Sequence, residues 1–157
     1  MKILVTGGSG FLGSHVADEL TKYGHKVIIY DLLKSKWIKK NQKFIKGNIT
    51  DTKKLSRLIS ETDIVYNFAA LGDLDKARFM PIETVNYNIL SLVNMLKLSK
   101  ALSDQNRVKI IGMLSDGPKN VSTVANKLNV EENLASHHLR VLFSLGLLKN
   151  SKKGRQV

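Results

Sequence analysis

The chain has 157 residues, of which 43% are hydrophobic and 24% charged, with a net charge of +12 and no cysteine. These values are typical of a soluble globular chain with one domain or two small ones, and no apolar run approaches the roughly 20 residues of a membrane span. The absence of cysteine excludes disulfides, thiolate metal sites and cysteine nucleophiles. We therefore expect a cytoplasmic protein without membrane partners.

Positive charge is concentrated toward the C-terminal end. Residues 1–104 and 105–157 each carry a net charge of +6, although the second segment is about half as long. From residue 140 onward there is no acidic residue, and the basic residues are Arg140, Lys149, Lys152, Lys153 and Arg155. This asymmetry indicates an anionic partner. A solvated basic tail is the alternative interpretation.

The first hundred residues alternate between strand and helix patterns. Short apolar runs predict strands at residues 2–6, 26–30, 44–45 and 63–68, and apolar spacing predicts helices at about 11–23, 51–59 and 82–99. Segment 32–41 is expected to be a loop with a short helix. The alternation predicts an α/β fold with a parallel sheet, and right-handed crossovers give it the strand order 3-2-1-4 of a half Rossmann-like domain.

A different pattern begins at Arg107. Helices are predicted at about 108–114, from a cap at Ser122 to Leu128, and at 132–144 before Gly146, with a tight turn at 129–130. Two short strands are expected at 147–150 and 155–157. The order predicts a small helical domain with a terminal hairpin.

A glycine-rich turn follows the first strand and opens the first helix. Gly7 permits a tight turn, Gly10 allows close approach to a pyrophosphate, and Gly13 allows close packing of helix and strand. Asp31 stands 18 residues after Gly13, at the end of the second strand. A carboxylate there accepts hydrogen bonds from ribose hydroxyls and repels a 2′-phosphate, which favours NAD over NADP, although Lys34 and Lys36 soften the preference. The alternative is a glycine turn with an incidental aspartate.

The segment Thr-Gly-Gly-Ser-Gly-Phe-Leu-Gly at 6–13 resembles the extended short-chain dehydrogenase/reductase family, the NAD-dependent epimerases and dehydratases. Gly-Asn-Ile-Thr-Asp at 47–51 resembles the adenine pocket of that family, where an aspartate is usual in place of Asn48. Asn-Phe-Ala-Ala at 67–70 and Thr-Val-Asn at 84–86 follow in the family's order. The resemblance implies NAD held by Gly7, Gly10, Phe11, Leu12, Gly13, Asp31, Asn48, Ile49, Phe68, Ala69 and Ala70.

The chemistry of that family requires a Tyr-x-x-x-Lys pair and a serine or threonine beyond this half. The only such pair here is Tyr30 and Lys34, which overlaps the ribose end of the pocket, and we interpret it as coincidence. We therefore predict no catalytic residue and lean toward a protein that is not an enzyme. The alternative is a reduced or fragmentary NAD-dependent nucleotide-sugar epimerase or dehydratase.

Residues 99–157 resemble the ArsR-type winged-helix repressors. The matching segments are Arg-Val-Lys-Ile-Ile at 107–111, Val-Ser-Thr-Val-Ala-Asn-Lys-Leu at 121–128, Leu-Ala-Ser-His-His-Leu-Arg-Val-Leu at 134–142, and the wing residues from Gly146 onward. The resemblance implies binding of double-stranded DNA, with the third helix in the major groove. Predicted DNA contacts are Asn133, Ser136, His137 and Arg140 on that helix, and Lys149, Lys152, Lys153 and Arg155 in the wing.

His138 and Leu139 are interpreted as packing residues. No metal site is predicted, because the adjacent His137 and His138 point about 100° apart on a helix and no cysteine or nearby carboxylate completes a ligand set. The resemblance also implies a homodimer held partly by a helix after the wing, and since the sequence ends at Val157 we expect a weak or altered dimer.

The expected domains are 1–98, an NAD-binding Rossmann-like half domain, and 99–157, an ArsR-like winged helix-turn-helix domain, with no Gly/Ser/Pro linker between them. Together they suggest a DNA-binding transcriptional regulator linked to NAD. A chimera that retains one or both binding activities without a joint function is the alternative.

Overall fold

The computed structural model describes residues 1–149. The chain separates into two compact units, Met1–Leu96 and a second unit that begins at Lys97. Each unit is built around its own apolar cluster. The assignment of residues 1–98 and 99–157 as functional domains stays a prediction.

The first unit contains a four-stranded parallel sheet in the order β3-β2-β1-β4, which confirms the predicted 3-2-1-4 arrangement. The strands are β1 (Lys2–Thr6), β2 (Lys26–Asp31), β3 (Lys43–Lys46) and β4 (Ile64–Asn67). Ile3 aligns with Val27 on one side and with Ile64 on the other. Because all four strands run in parallel, their carboxyl ends lie at one edge of the sheet, where α/β proteins bind ligands.

Apolar content explains which strands are central. Leu4 and Val5 of β1 have no exposed surface, and Ile29 of β2 is 1% exposed. Continuous apolar runs of this kind are typical of parallel strands covered on both faces. Ala17 of α1 (Phe11–Lys22) joins the cluster formed by β1 and β2. This packing holds the end of β1, and the turn that follows it, in a fixed place.

The helices of the first unit differ from the prediction after β4. The structure has α2 (Thr52–Ser60), α3 (Leu74–Phe79), α4 (Pro81–Val85), a π-helical turn (Asn86–Leu90) and α5 (Ser91–Leu102). The last six residues of α5 belong to the second unit, which begins at Lys97. The predicted continuous helix at 82–99 is therefore interrupted, and α3 was not predicted. Segment 32–41 consists of bends and turns, so the short helix expected there was wrong.

Within the described residues the second unit consists of helices, and these follow the predicted order. Residues 147–149, which were predicted to begin a strand, form none. The helices are α6 (Gln105–Ser115), α7 (Val121–Leu128) and α8 (Glu132–Ser144). Ile110, Val124 and Leu142, one from each helix, are fully buried in its core. Asn129 adopts a left-handed conformation with φ of 56° and forms the predicted turn between α7 and α8.

Two further details concern the ends of these helices. The side chain of Asn120, rather than the predicted Ser122, caps α7 by accepting a 2.8 Å hydrogen bond from Thr123 N. Gly146, with φ of 69°, follows α8 as predicted. Most of the predicted wing, including Lys152, Lys153 and Arg155, lies outside the described residues. Over residues 1–149, the structure contains no helix that is both long and apolar enough to span a bilayer.

Candidate dinucleotide site and nucleic-acid interface

A cleft of about 440 Å³ opens at the carboxyl edge of the sheet. Its volume lies within the range of pockets that hold small molecules and cofactors. The lining residues come from the turn after β1, the end of β2, the turn after β3 and the loop after β4. The cleft therefore lies where the ends of four strands converge.

The turn after β1 requires glycine at two positions. Gly7 has φ of 69°, and a Cβ placed on it would lie 2.5 Å from the backbone of Phe68 and Ala69. A Cβ on Gly13 would overlap the carbonyl oxygen of Gly7. Both contacts involve backbone atoms, which cannot move aside as a flexible side chain can. The glycines thus let the turn, the first helix and the loop after β4 approach one another.

The first turn of α1 is suited to an anionic group. Its N-cap is Gly10, whose N–H donates a 3.0 Å hydrogen bond to the carbonyl of Gly7. Because glycine has no side chain, it cannot cap the next N–H groups of the helix. Those donors and the positive end of the helix dipole are therefore available to a phosphate.

Asp31 lies at the end of β2 and lines the cleft. One carboxylate oxygen accepts a 3.0 Å hydrogen bond from Ser9 N, and the other accepts a 3.3 Å hydrogen bond from Leu33 N. The carboxylate is thus held beside the glycine turn. A carboxylate has further lone pairs with which to accept ribose hydroxyls.

The turn after β3 is fixed by Tyr30, which is 1% exposed. The Tyr30 hydroxyl donates a 2.8 Å hydrogen bond to the carbonyl of Asn48, and the Tyr30 ring occupies the space that a Cβ on Gly47 would need. Burial, and secondarily the charge of Asp51, raises the pKa of Tyr30 to about 12. Tyr30 is therefore a neutral packing residue, which accords with the interpretation that its spacing to Lys34 is coincidental.

The loop after β4 is held by Asn88 in the π-helical turn. Its Oδ1 accepts a 2.7 Å hydrogen bond from Leu71 N, and its Nδ2 donates a 3.2 Å hydrogen bond to Leu71 O. This pair fixes the backbone next to Ala69 and Ala70, which line the cleft. The family-like segment at 84–86 ends at Asn86, whereas these bonds come from the asparagine two residues later.

The structure brings most of the predicted cofactor residues together. Those that line the cleft are Gly7, Gly10, Asp31, Asn48, Ile49, Phe68, Ala69 and Ala70. Gly13 packs behind the turn, Leu12 is 64% exposed, and Phe11 lines a neighbouring cavity. Ser9, Tyr87 and Asn88 were not predicted from the sequence. Ser9 and Tyr87 line the cleft, and Asn48 donates a 3.4 Å hydrogen bond to the Tyr87 hydroxyl.

In the second unit, the predicted DNA contacts on α8 share one face. Asn133, Ser136, His137 and Arg140 follow the spacing i, i+3, i+4, i+7, which places them on one side of a helix. Asn133, His137 and Arg140 are exposed, as is Lys149 beyond the helix. The opposite side of α8 packs into the core through Ala135 and Leu142.

His138 and Leu139 pack inward, as predicted. His138 is 5% exposed, and Leu139 contacts the apolar cluster of the second unit. The His138 Nδ1 lies 3.8 Å from a carboxylate oxygen of Asp104, which caps α6. Partial burial acts to raise the pKa of Asp104, but the hydrogen bond from Arg107 N and the charges of His138 and Arg107 outweigh it and leave the pKa below its usual value. Within residues 1–149, no group of three or more histidine, aspartate or glutamate side chains is arranged to hold a metal ion.

Comparison with known proteins accounts for both units. The profile of the family described as GDP-mannose 4,6 dehydratase matches residues 4–116, well over half of the sequence. The chain belongs to that family. A second profile, described as the bacterial regulatory protein ArsR family, matches residues 104–150. The chain therefore joins an epimerase/dehydratase-like Rossmann half to an ArsR-type helix-turn-helix region, and the two matches overlap in α6.

Several of the similar proteins are sugar-nucleotide enzymes. A UDP-glucose 4-epimerase of Lactobacillus helveticus is 32% identical over 111 residues, covering 68% of this chain and 33% of the enzyme. The solved UDP-glucose 4-epimerase of Thermotoga maritima with UDP-glucose is 33% identical with a TM-score of 0.61, covering 65% of this chain and 35% of the enzyme. The corresponding enzyme of Stenotrophomonas maltophila, solved with bound NAD, is 29% identical with a TM-score of 0.61, covering 67% and 35%. The chain thus spans about a third of the length of these relatives.

Proposed function

We propose that this chain is an NAD-linked DNA-binding regulator, which binds NAD in the cleft of the first unit and duplex DNA with α8. The observation that carries the proposal is the presence of both elements on one chain. The glycine turn and Asp31 form a dinucleotide cleft, and a polar, exposed α8 face follows in the second unit. Neither element alone suggests regulation by a cofactor.

NAD binding is supported by the fit of the cleft to a dinucleotide. Gly7 and the first turn of α1 would hold the pyrophosphate, Asp31 would accept the ribose hydroxyls, and Asn48 and Ile49 would flank the adenine. When bound, the nicotinamide of NAD supplies a group that accepts or donates hydride. The buried Tyr30 hydroxyl is committed to the Asn48 carbonyl and holds its proton up to about pH 12, so Tyr30 positions the turn after β3.

DNA binding is supported by the arrangement of α8. Its exposed face combines a guanidinium, an imidazole, an amide and a hydroxyl, which are side chains that read base edges or hold phosphates. Glu131 and Glu132 at the start of the helix oppose this attraction. The wing lysines and Arg155 would add phosphate contacts. Since paired half-sites require two-fold protein symmetry, we further propose that the chain binds DNA as a homodimer.

Asp31→Asn tests the cofactor half of the proposal. The substitution removes a charge-assisted acceptor, and we expect NAD affinity measured by calorimetry to fall by about 10- to 100-fold. Asp75→Asn, at an exposed position of α3, is the matched control and should leave the affinity unchanged. Unaltered NAD binding by the Asp31 variant would remove the assignment of the cleft.

Arg140→Ala tests the DNA half. It should weaken binding to a duplex operator selected from random sequence by about tenfold, whereas Lys109→Ala on α6 should have little effect. Sedimentation of the complex gives the number of chains per duplex. An equal loss of DNA affinity in the Arg140 and Lys109 variants would indicate attraction by net charge alone. That result would contradict a specific interface on α8.

An enzyme is the second candidate, because the family match and the relatives are epimerases and dehydratases. It predicts turnover of a nucleotide sugar at saturating NAD. Failure to form product, when the substrate is present in large molar excess over the protein, would exclude it.

A chimera is the third candidate, and it predicts two units whose melting transitions each respond only to their own ligand.

A further inference from the structure

A second cavity, of about 450 Å³, adjoins the cleft and shares two lining residues with it, Ser9 and Gly10. Its remaining lining comes from the first two turns of α1 and from the segment after β2. Three aromatic rings reach it, those of Phe11, His15 and Trp37. The proposed NAD contacts involve the backbone of the first turn of α1, which includes Phe11, and give no role to the His15 and Trp37 rings.

These rings are unusually accessible. Phe11 is 79% exposed and Trp37 is 68% exposed. The rings of Phe11 and His15 lie with their centroids 4.9 Å apart. Scattered apolar side chains are common on protein surfaces, but several aromatic rings around one cavity mark a binding surface. Exposed ring faces of this kind can stack on planar groups.

The segment that carries Trp37 is fixed to α1 by Gln42, which is 8% exposed. The Gln42 Nε2 donates hydrogen bonds to Asp18 Oδ1 at 2.9 Å and to Thr21 Oγ1 at 3.1 Å. Its Oε1 accepts a 2.9 Å hydrogen bond from Lys39 N. This clamp orders the segment through the protein's own hydrogen bonds, so binding there would cost little conformational entropy.

The same segment is strongly basic. Residues 32–43 contain no acidic residue and five lysines, Lys34, Lys36, Lys39, Lys40 and Lys43. Lys39 forms an ion pair with Asp18 at 3.6 Å, and the Lys36 Nζ lies 4.9 Å from the centre of the Trp37 ring. Lys36 and Lys39 therefore place positive charge beside the aromatic rings, although the Asp18 carboxylate, which also lines the cavity, offsets part of it. This combination favours a ligand with both anionic and planar aromatic groups.

We propose that this surface, formed by Phe11, His15, Lys34, Lys36, Trp37 and Lys40 and called here the Trp37 surface, binds single-stranded nucleic acid. Bases stack on Trp37 and Phe11 while the lysines neutralise phosphates, which is the combination that single-strand binding proteins use. A duplex is a poorer fit, because its bases are already stacked on one another and do not offer their faces. The Trp37 surface belongs to the first unit and the α8 face to the second, so its test is independent of the proposed regulator function.

Trp37 is the only tryptophan in the chain, so its fluorescence reports on the surface directly. The full chain is titrated with an oligonucleotide of about 12 thymidines, a length within the site sizes of single-strand binding proteins. We expect saturable quenching that weakens with salt. Quenching by anionic lipid vesicles without any response to the oligonucleotide would overturn the proposal in favour of a membrane surface.

Substitutions distinguish the contribution of base stacking to affinity from that of charge. The affinity of each variant is measured by the fluorescence anisotropy of a labelled oligonucleotide. Trp37→Ala should weaken binding by about tenfold, and Trp37→Phe should retain most of the affinity because phenylalanine keeps a ring face. Lys36→Gln with Lys40→Gln should reduce the slope of log affinity against log salt by about 0.7 for each phosphate that is no longer neutralised. Lys53→Gln, at an exposed position of α2, is the control and should change neither. Equal affinities for wild type, Trp37→Ala and the double lysine variant would refute the proposal.

Discussion

The hydroxyl of Tyr30 donates a 2.8 Å hydrogen bond to the carbonyl oxygen of Asn48, joining the end of β2 to the turn after β3. Both residues line the cleft, and Tyr30 is almost completely buried. The bond assigns Tyr30 a positioning role, although its spacing to Lys34 imitates a catalytic pair. The neutral Tyr30 side chain thus holds in place the turn after β3, which would flank an adenine.

Tyr30→Phe should therefore destabilise the fold rather than abolish chemistry. Loss of the hydrogen bond should lower the free energy of unfolding by about 1 kcal/mol, with a small decrease in NAD affinity. Denaturant unfolding followed by circular dichroism measures the first effect and calorimetry the second. A variant as stable as the wild type would show that the hydroxyl contributes nothing to the fold.

The same residue predicts a dependence on alkaline pH. Its pKa is raised in the folded state from 10.0 to about 12, so the folded chain holds this proton more tightly than the unfolded chain. The corresponding stability is fully present below pH 10.0 and is lost as the pH rises through about 12. Ultraviolet titration should show a tyrosine ionisation at about pH 12, and Tyr30→Phe should remove that step. A titration curve unchanged by the substitution would contradict the assignment.

Gly13→Ala should disrupt the glycine turn, because the new methyl group would overlap the backbone of Gly7. We expect a loss of about 1–3 kcal/mol in stability, together with weaker NAD binding. Gly72→Ala is the matched control, since a Cβ there meets no atom within 4 Å. Thermal melting with and without NAD distinguishes the two variants. Similar behaviour of both would mean that Gly13 is not needed for close packing.

Asn88→Ala should loosen the loop after β4 by removing both hydrogen bonds to Leu71. A cost of about 1–2 kcal/mol is expected, with faster hydrogen exchange at Leu71 N. Asn88→Asp keeps the acceptor for Leu71 N but sets a carboxylate oxygen against the Leu71 carbonyl, so it should not restore the stability lost in Asn88→Ala. Wild-type stability and hydrogen exchange in Asn88→Ala would show that the two bonds do not hold the loop.

Gly112→Ala should stabilise the second unit. Gly112 lies inside α6, and a methyl group added there would meet no atom within 4 Å, so alanine gains helix propensity of about 0.5–1 kcal/mol without a clash. Gly146→Ala is the opposing control, because φ of 69° strains any side chain there. Thermal melts should shift in opposite directions. A lower Tm for Gly112→Ala would show that the glycine has a packing role.

The sequence predicted the parts of the fold that depend on local pattern. The strand order, the glycine turn, the position of Asp31 and the bounds of α8 follow from apolar periodicity, glycine spacing and helix ends. The interruption at residues 86–90 was missed because a π-helical turn leaves no distinct apolar period. The cap at Asn120 was missed because Ser122 satisfies the same residue preference two positions later.

The site was predicted less completely than the fold. Asn88 contacts Leu71, which is 17 residues earlier, and Gln42 contacts Asp18 across 24 residues. Hydrogen bonds between residues so far apart in the sequence depend on the tertiary fold, so local sequence patterns do not predict them. Phe11 lines the second cavity rather than the cleft, since the direction of its side chain depends on how α1 packs against the sheet.

If NAD and DNA bind to the same chain and influence each other, the affinity for operator duplex should differ between NAD-free and NAD-saturated protein. A ligand shifts an equilibrium only through differential binding, and coupling of the usual size changes the dissociation constant by about 5- to 150-fold. We expect such a change in DNA affinity, and an equal factor in NAD affinity when DNA is saturating. Identical DNA dissociation constants in the two conditions, with calorimetry showing both ligands bound, would contradict it.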